Sequence, residues 1–139
     1  MKFKGKIVRL LVVFTLTLAI ALPTVAMAID APHSYDWDID NGAGTWNGKD
    51  MGQLWEVNDE AEWIINITSS EERTIKASLW MVRYLWPDQK IFSEYPLTSK
   101  NGGKGIVELF QPSEDNSYYS VIENESARGA RGNHNIRYT

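Results

Sequence analysis

The sequence predicts an all-β protein, a small antiparallel β-sandwich or jelly-roll-like domain of about six to seven strands. Three observations support this prediction. Apolar and polar residues alternate at a period of two in several short segments, and polar or glycine-rich turns separate those segments. The long intervening helices that a parallel α/β sheet requires are missing from the pattern.

Residues 1–28 have the three-part layout of a secretory signal peptide. Four Lys and Arg residues precede residue 10, residues 10–22 are uncharged and mostly apolar, and Ala26 and Ala28 suit the −3 and −1 positions of a cleavage site. A membrane anchor is the alternative, but the apolar run is shorter than the roughly 20 residues that span a bilayer. We therefore expect cleavage after Ala28 and a secreted, extracellular protein with no stable membrane span.

We expect three parts along the chain: the signal peptide at 1–28, an Asp/Gly-rich N-terminal arm at 29–52, and the β-sandwich domain at 53–139. The chain has no cysteine, so its stability depends on packing, an ion or oligomerisation rather than on disulfides. The absence of cysteine and the Lys-rich start favour a bacterial origin. The oligomeric state is left open.

The charge balance limits the partners. Four of the 14 basic residues and none of the 18 acidic residues lie in 1–28, so the mature chain carries a net charge of −8. Such an acidic surface argues against binding to nucleic acid, or to anionic lipid through a basic patch.

The first strands are predicted from alternation. Residues 54–57 form a short candidate strand, and 61–68 place Trp63, Ile65 and Ile67 on one face. Residues 74–86 predict a long strand with Ile75, Ala77, Leu79 and Met81 on one face. A helix is the rival over this segment, but its β-branched and aromatic content and Pro87 at its end favour a strand.

Later segments continue the pattern. Residues 91–95 form a strand that ends at Pro96, residues 100–105 form a glycine-rich hairpin loop, and 106–110 form the next strand. Residues 118–124 alternate again, with Tyr119, Val121 and Glu123 opposing Tyr118, Ser120 and Ile122. We expect a solvated basic loop at 128–132 and a closing strand at 135–138.

Residues 116–124 resemble the penultimate strand of small β-sandwich domains appended to secreted bacterial proteases. Those domains place glycine before the tyrosine, where this chain has Asn116 and Ser117. The resemblance covers one strand and implies the fold class alone.

Asp36, Asp38 and Asp40 occupy alternate positions and are followed by asparagine and glycine, as at the start of a calcium loop. An EF-hand loop would place glycine where Asn41 stands and glutamate where Asn47 stands. The favoured interpretation is an edge strand with Trp37 and Ile39 inward and the carboxylates in water. A calcium site formed by the three aspartates is the alternative.

Aromatic residues are abundant, and all six tryptophans lie beyond residue 28. Exposed Trp and Tyr side chains stack on sugar rings and headgroups, because their faces are apolar and their edges polar. Most are expected in the core. The candidates for an exposed ligand-binding surface are Trp46, Trp80, Tyr84 and Trp86.

The sequence gives catalysis thin support, since its many Asp and Glu residues are the one feature that would suit a hydrolase. There is no cysteine, the two histidines lie near the ends of the mature chain, and no metalloprotease, nucleophile-elbow or phosphate-loop motif occurs. The first hypothesis is a secreted, non-catalytic bacterial protein that binds an extracellular glycan or cell-envelope component through aromatic residues. A bacteriocin-like or membrane-active antagonist is the second hypothesis, and a minor hydrolase is the third.

Overall fold

The computed structural model describes residues 29–113 and 117–139, so the predicted signal peptide at 1–28 lies outside the described residues. The described part is all-β, with ten strands in two packed sheets, and it holds no helix long and apolar enough to cross a membrane. The strands are β1 (Ile29–Asp30), β2 (His33–Ile39), β3 (Gly44–Asn47), β4 (Trp55–Glu56), β5 (Ala61–Ile67), β6 (Arg73–Met81), β7 (Gln89–Ser99), β8 (Ile106–Phe110), β9 (Ser117–Asn124) and β10 (Ala130–Tyr138).

One sheet has six strands in the order β1-β4-β9-β6-β7, with β3 also paired to β9. All its pairs are antiparallel except β1 with β4. The other sheet has four antiparallel strands in the order β2-β10-β5-β8. The predicted sandwich class is therefore confirmed, and β2, β7 and β8 are exposed as edge strands.

The core lies between the sheets, and the alternating segments form its two faces. The buried side chains on the predicted faces are Trp63, Ile65 and Ile67 on β5, Ile75, Ala77, Leu79 and Met81 on β6, and Tyr118, Ser120 and Ile122 on β9. Burying each large apolar side chain contributes about 1.5–3 kcal/mol. Across the core, Trp63 Nε1 donates a hydrogen bond to Ser120 Oγ at 2.9 Å, which satisfies a polar atom from each sheet.

The N-terminal arm at 29–52 is built into both sheets. Strand β2 pairs with β10 over its whole length, and β3 pairs with β9. This segment carries three strands, of which the sequence predicted only the edge strand around residues 36–40, so the strand count is ten rather than six or seven.

Two further segments differ from the predictions. Strand β7 does not end at Pro96 but continues to Ser99. Because β7 is an edge strand, proline is tolerated within it although it has no N–H to donate to a neighbouring strand. The tail at 128–132 is not a solvated loop, since β10 begins at Ala130 and lies between β2 and β5. Gly132 is required there, because an added Cβ would overlap the backbone oxygen of Asn66 and lie 2.6 Å from the Trp37 ring.

Candidate functional site: an aromatic loop between β6 and β7

Three consecutive large apolar side chains are exposed in the loop that joins β6 to β7, which we call the tip loop (residues 82–88). Tyr84, Leu85 and Trp86 are 88%, 84% and 67% exposed. Single exposed apolar side chains are common on protein surfaces, whereas a contiguous group marks a site of interaction. The tip loop is therefore the candidate functional site.

The local backbone directs these side chains away from the sheet. Strand β6 ends at Met81 rather than continuing to Trp86, and Leu85 has a φ of 67°, in the left-handed region. That conformation costs a non-glycine residue about 1–2 kcal/mol. Pro87 has no N–H to extend the pairing of β6 with β7. The sequence prediction of a strand through residue 86 was wrong at this end.

Asp88 fixes the base of the tip loop. Its Oδ2 accepts hydrogen bonds from Lys49 Nζ at 2.6 Å and from Tyr119 Oη at 2.9 Å, and its Oδ1 accepts one from the backbone N–H of Arg83 at 3.3 Å. Burial opposes ionisation of Asp88, but these three donors outweigh it, and its pKa lies below the usual value. The exposed residues thus stand on a well-bonded base.

Trp80 lies beside this base and is half-buried. Its ring stacks on Tyr119 with centroids 6.4 Å apart and an interplanar angle of 16°, and Lys90 Nζ lies 5.0 Å from its centroid. Its Nε1 donates to Ser78 Oγ at 3.0 Å. With one neighbour on its face and a cation over it, Trp80 supports the loop more than it offers an open surface.

Trp46 does not belong to the exposed group. It lies on β3, is only 6% exposed, and meets the ring of His134 edge-on at 4.8 Å. The prediction that a loop presents Trp46 was wrong, because the flanking glycines belong to a strand and a turn that bury the ring. The structure brings Trp80, Tyr84 and Trp86 to one end of the six-stranded sheet and leaves Trp46 in the core.

Asp36, Asp38 and Asp40 follow the edge-strand interpretation. Asp36 and Asp38 are exposed on edge strand β2, Trp37 points inward, and Asp40 follows the strand. Desolvation and the neighbouring charge of Asp40 raise the pKa of Asp38, while Arg131 opposes the shift. No group of three or more His, Cys, Asp or Glu side chains that could hold a metal ion occurs within 29–113 and 117–139. The three aspartates therefore do not form the convergent ligand set that calcium requires.

Sequence reasoning missed Leu85 and Asp88. Leu85 fell within the strand predicted for 74–86, and Pro87, two residues later, was the local signal that the strand ends. The role of Asp88 depends on Lys49 and Tyr119, which are 39 and 31 residues away along the chain. No local sequence pattern predicts contacts between residues so far apart in the chain.

No protein-family model matches the chain, and no curated protein matches it. Among solved structures, the chain is similar to one titled "Crystal structure of PirA", with 16% sequence identity and a TM-score of 0.35. The alignment covers 76% of this chain and 93% of that chain. A similarity at this TM-score carries no argument about fold or function.

Proposed function

We propose that the protein is an exported, non-catalytic bacterial binding domain that attaches to a cell-envelope glycan through the tip loop. The observation that supports the proposal is the run Tyr84-Leu85-Trp86, in which each side chain is at least 67% exposed. Export rests on the signal-peptide pattern of residues 1–28, which predicts a mature N-terminus at Ile29.

The chemistry of the tip loop suits a sugar polymer. Tyr84 and Trp86 present apolar ring faces with polar edges, and the C–H face of a pyranose ring packs on such a surface while its hydroxyls stay hydrated. Both rings have only two side-chain torsions to fix on binding, so their entropic cost is low. The hydrogen bonds of Asp88 hold the loop base in place before any ligand arrives, which lowers the cost further.

The histidines give the hydrolase alternative little support. His134 is fully buried between core rings, and burial lowers its pKa to about 3. It therefore has no access to a substrate and stays neutral at ordinary pH. His33 is exposed on edge strand β2, at the opposite sheet from the tip loop.

A second candidate function is attachment to a lipid surface, and Leu85 is the observation that favours it. This side chain is 84% exposed between the two aromatic rings. Tyr and Trp side chains favour the headgroup level of a bilayer, and a leucine between them would reach the acyl chains. The net charge of −8 expected for the mature chain disfavours anionic lipid, so a zwitterionic surface is the relevant one.

Cosedimentation separates the two candidates. The protein is mixed with insoluble peptidoglycan sacculi and, separately, with phosphatidylcholine vesicles, and the bound fraction is measured. The double variant Tyr84→Ser/Trp86→Ser should lose at least tenfold in affinity for sacculi, since two contact residues worth about 1 kcal/mol each are removed. Leu109→Ser removes another exposed large apolar side chain, which is 53% exposed on β8, and should leave binding unchanged.

The pattern of losses identifies the ligand class. Loss of sacculus binding in the double variant, with no vesicle binding, supports the glycan proposal. Vesicle binding that requires Leu85, tested with Leu85→Ser, would support the lipid candidate instead. Equal binding by the wild-type protein and the double variant in both assays would contradict any binding role for the tip loop.

A further inference from the structure

A groove opens on the side of the sandwich where the edge strands of the two sheets approach each other. Strand β7 ends the six-stranded sheet, β8 ends the four-stranded sheet, and a short glycine-rich connection joins them. The groove has a volume of about 660 Å³ and is lined by Asn66, Tyr95, Pro96 and residues 102–108. We call it the edge groove. Its volume falls within the roughly 300–1,000 Å³ of small-molecule sites.

One wall of the edge groove is an aromatic ring that the core holds in place. Tyr95 is half-buried, and its ring lies 5.9 Å from that of Phe92 and 6.4 Å from that of Trp63. Trp63 is fully buried, and Phe92 stacks on it at 5.7 Å. Because these neighbours fix Tyr95 from behind, its groove side is a preformed apolar platform.

A carboxylate stands at the same groove. Glu108 on β8 is the register partner of Trp63, whose ring points inward, so Glu108 also lies on the inward side of its sheet. It is half-buried, and it forms no salt bridge with any residue in the described ranges. An inward charge at an edge discourages pairing with another sheet. Protection of the sheet edge does not require an aromatic ring at the same groove. The presence of both Tyr95 and Glu108 therefore points to a bound ligand.

The remaining lining adds hydrogen-bonding groups without bulk. Asn66 Nδ2 donates to Asn133 Oδ1 at 3.1 Å, which holds this residue at the rim of the groove, on the outward face of β5. Lys104 is exposed on the loop and supplies a donor. Gly105 carries no side chain because an added Cβ would overlap the backbone oxygen of Ile65, so the backbone itself forms this part of the wall.

We propose that the edge groove is a saccharide-binding site that takes a neutral hexose or N-acetylhexosamine unit. A pyranose ring has an apolar C–H face for Tyr95 and a rim of hydroxyls for the groups around it. The Glu108 carboxylate accepts hydrogen bonds from hydroxyls of the sugar, and Lys104 donates to a sugar oxygen. An anionic sugar is disfavoured, because Glu108 would face its charge in a half-buried site.

This site is separate from the tip loop and does not depend on it. The tip loop precedes the start of β7 at Gln89, whereas Tyr95 and Pro96 lie in the second half of that strand. A domain with both sites could hold a polymer at two points, which raises its effective affinity.

The test is titration of the protein with soluble cellotetraose and chitotetraose, followed by isothermal calorimetry and by NMR shifts of the groove residues. Binding of at least one tetrasaccharide is expected. Glu108→Gln should weaken it about tenfold, because a hydrogen bond to a charged group becomes a neutral one. Glu123→Gln, an exposed glutamate on the other sheet, is the matched control and should bind as the wild type does.

Tyr95→Leu removes the ring and should abolish detectable binding, with circular dichroism confirming that the variant is folded. If that variant fails to fold, the tetrasaccharide affinities of Glu108→Gln and Lys104→Met test the proposal instead. Both residues are at least partly solvent-exposed, so these variants are expected to fold. The NMR shifts are read at Tyr95, Lys104 and Glu108 separately from those of the tip loop, which distinguishes this proposal from the one for the tip loop. Failure of both tetrasaccharides to bind, or wild-type affinity in Glu108→Gln, would overturn the proposal.

Discussion

Acidification should destabilise the protein through one buried side chain, His134. This residue is fully buried on β10, with its ring edge-on to Trp46 at 4.8 Å and to Trp55 at 4.7 Å. Its Nε2 lies 2.9 Å from Gln53 Oε1, and its Nδ1 has no hydrogen-bond partner among the described residues. A proton added at Nδ1 would therefore place an unpaired charge between core rings.

The magnitude follows from the pKa difference between the two states. Burial lowers the pKa of His134 from 6.5 to about 3 in the folded protein. As the pH falls below 6.5, the unfolded chain takes up a proton here and the folded protein does not. The stabilising contribution is present above pH 6.5 and is lost at about 1.4 kcal/mol per pH unit as the pH falls towards 3. From about pH 7 to about pH 5, the loss is about 2 kcal/mol.

Urea denaturation followed by tryptophan fluorescence measures this effect. The free energy of unfolding is compared at the two pH values for the wild-type protein and for His134→Phe, which cannot titrate at this position. The wild type should lose about 2 kcal/mol more than the variant on acidification. His33→Gln, which changes the exposed histidine on β2, should keep the full pH dependence of the wild type.

Equal acid destabilisation of the wild type and His134→Phe would refute the reasoning. If the variant is too unstable to compare, the ring protons of His134 can be followed by NMR in the wild-type protein. They should show no titration near pH 6.5, where an accessible histidine changes its charge.

Three other changes test the packing and the site. Gly132→Ala should lower the free energy of unfolding in urea by about 1–3 kcal/mol, because the new Cβ would overlap the backbone oxygen of Asn66 and press on the Trp37 ring. Asp88→Ala should speed chymotrypsin cleavage within the tip loop, since the loop base loses its bonds to Lys49 and Tyr119. Millimolar calcium should leave the melting temperature unchanged, because Asp38 and its neighbours do not converge.

Each of these has its own control. Gly44→Ala places its Cβ 3.3 Å from a flexible Ile39 methyl and should cost less than Gly132→Ala. Asp50→Ala removes an exposed aspartate whose charge acts on Tyr119, and it should leave the rate of cleavage unchanged. A calcium-dependent rise in melting temperature that EDTA reverses would contradict the edge-strand interpretation of the aspartates.

The period-two pattern was sufficient to predict the sandwich class and its inner faces. In β5, Trp63, Ile65 and Ile67 alternate with partly exposed residues, and β6 follows the same pattern except at Ser78, which is buried. Such alternation reflects one buried and one exposed sheet face, so it is readable without knowing the partner strand.

The alternation could not predict which strands pair or how far the irregular strands extend. Strand β2 pairs with β10, about 100 residues away along the chain, and β7 contains register shifts opposite Leu79. Long-range pairing leaves no local signal, and extra residues at a bulge break the period that prediction relies on.

Only some residues of the candidate site could be predicted from the sequence. Tyr84 and Trp86 were recognised because they fall on the less apolar face of the predicted strand, together with Lys76. Trp46 was misassigned because its flanking glycines resemble a loop, although the strand β3 buries it. Exposure depends on what packs above a residue, and composition does not show this.

The most direct test of the central claim is cosedimentation of the protein with peptidoglycan sacculi, with and without the rings of the tip loop. The wild-type protein and Leu109→Ser should bind sacculi equally. Tyr84→Ser/Trp86→Ser should bind at least tenfold more weakly while unfolding at an unchanged urea concentration. Full binding by this folded double variant would contradict the claim that the tip loop is the attachment site.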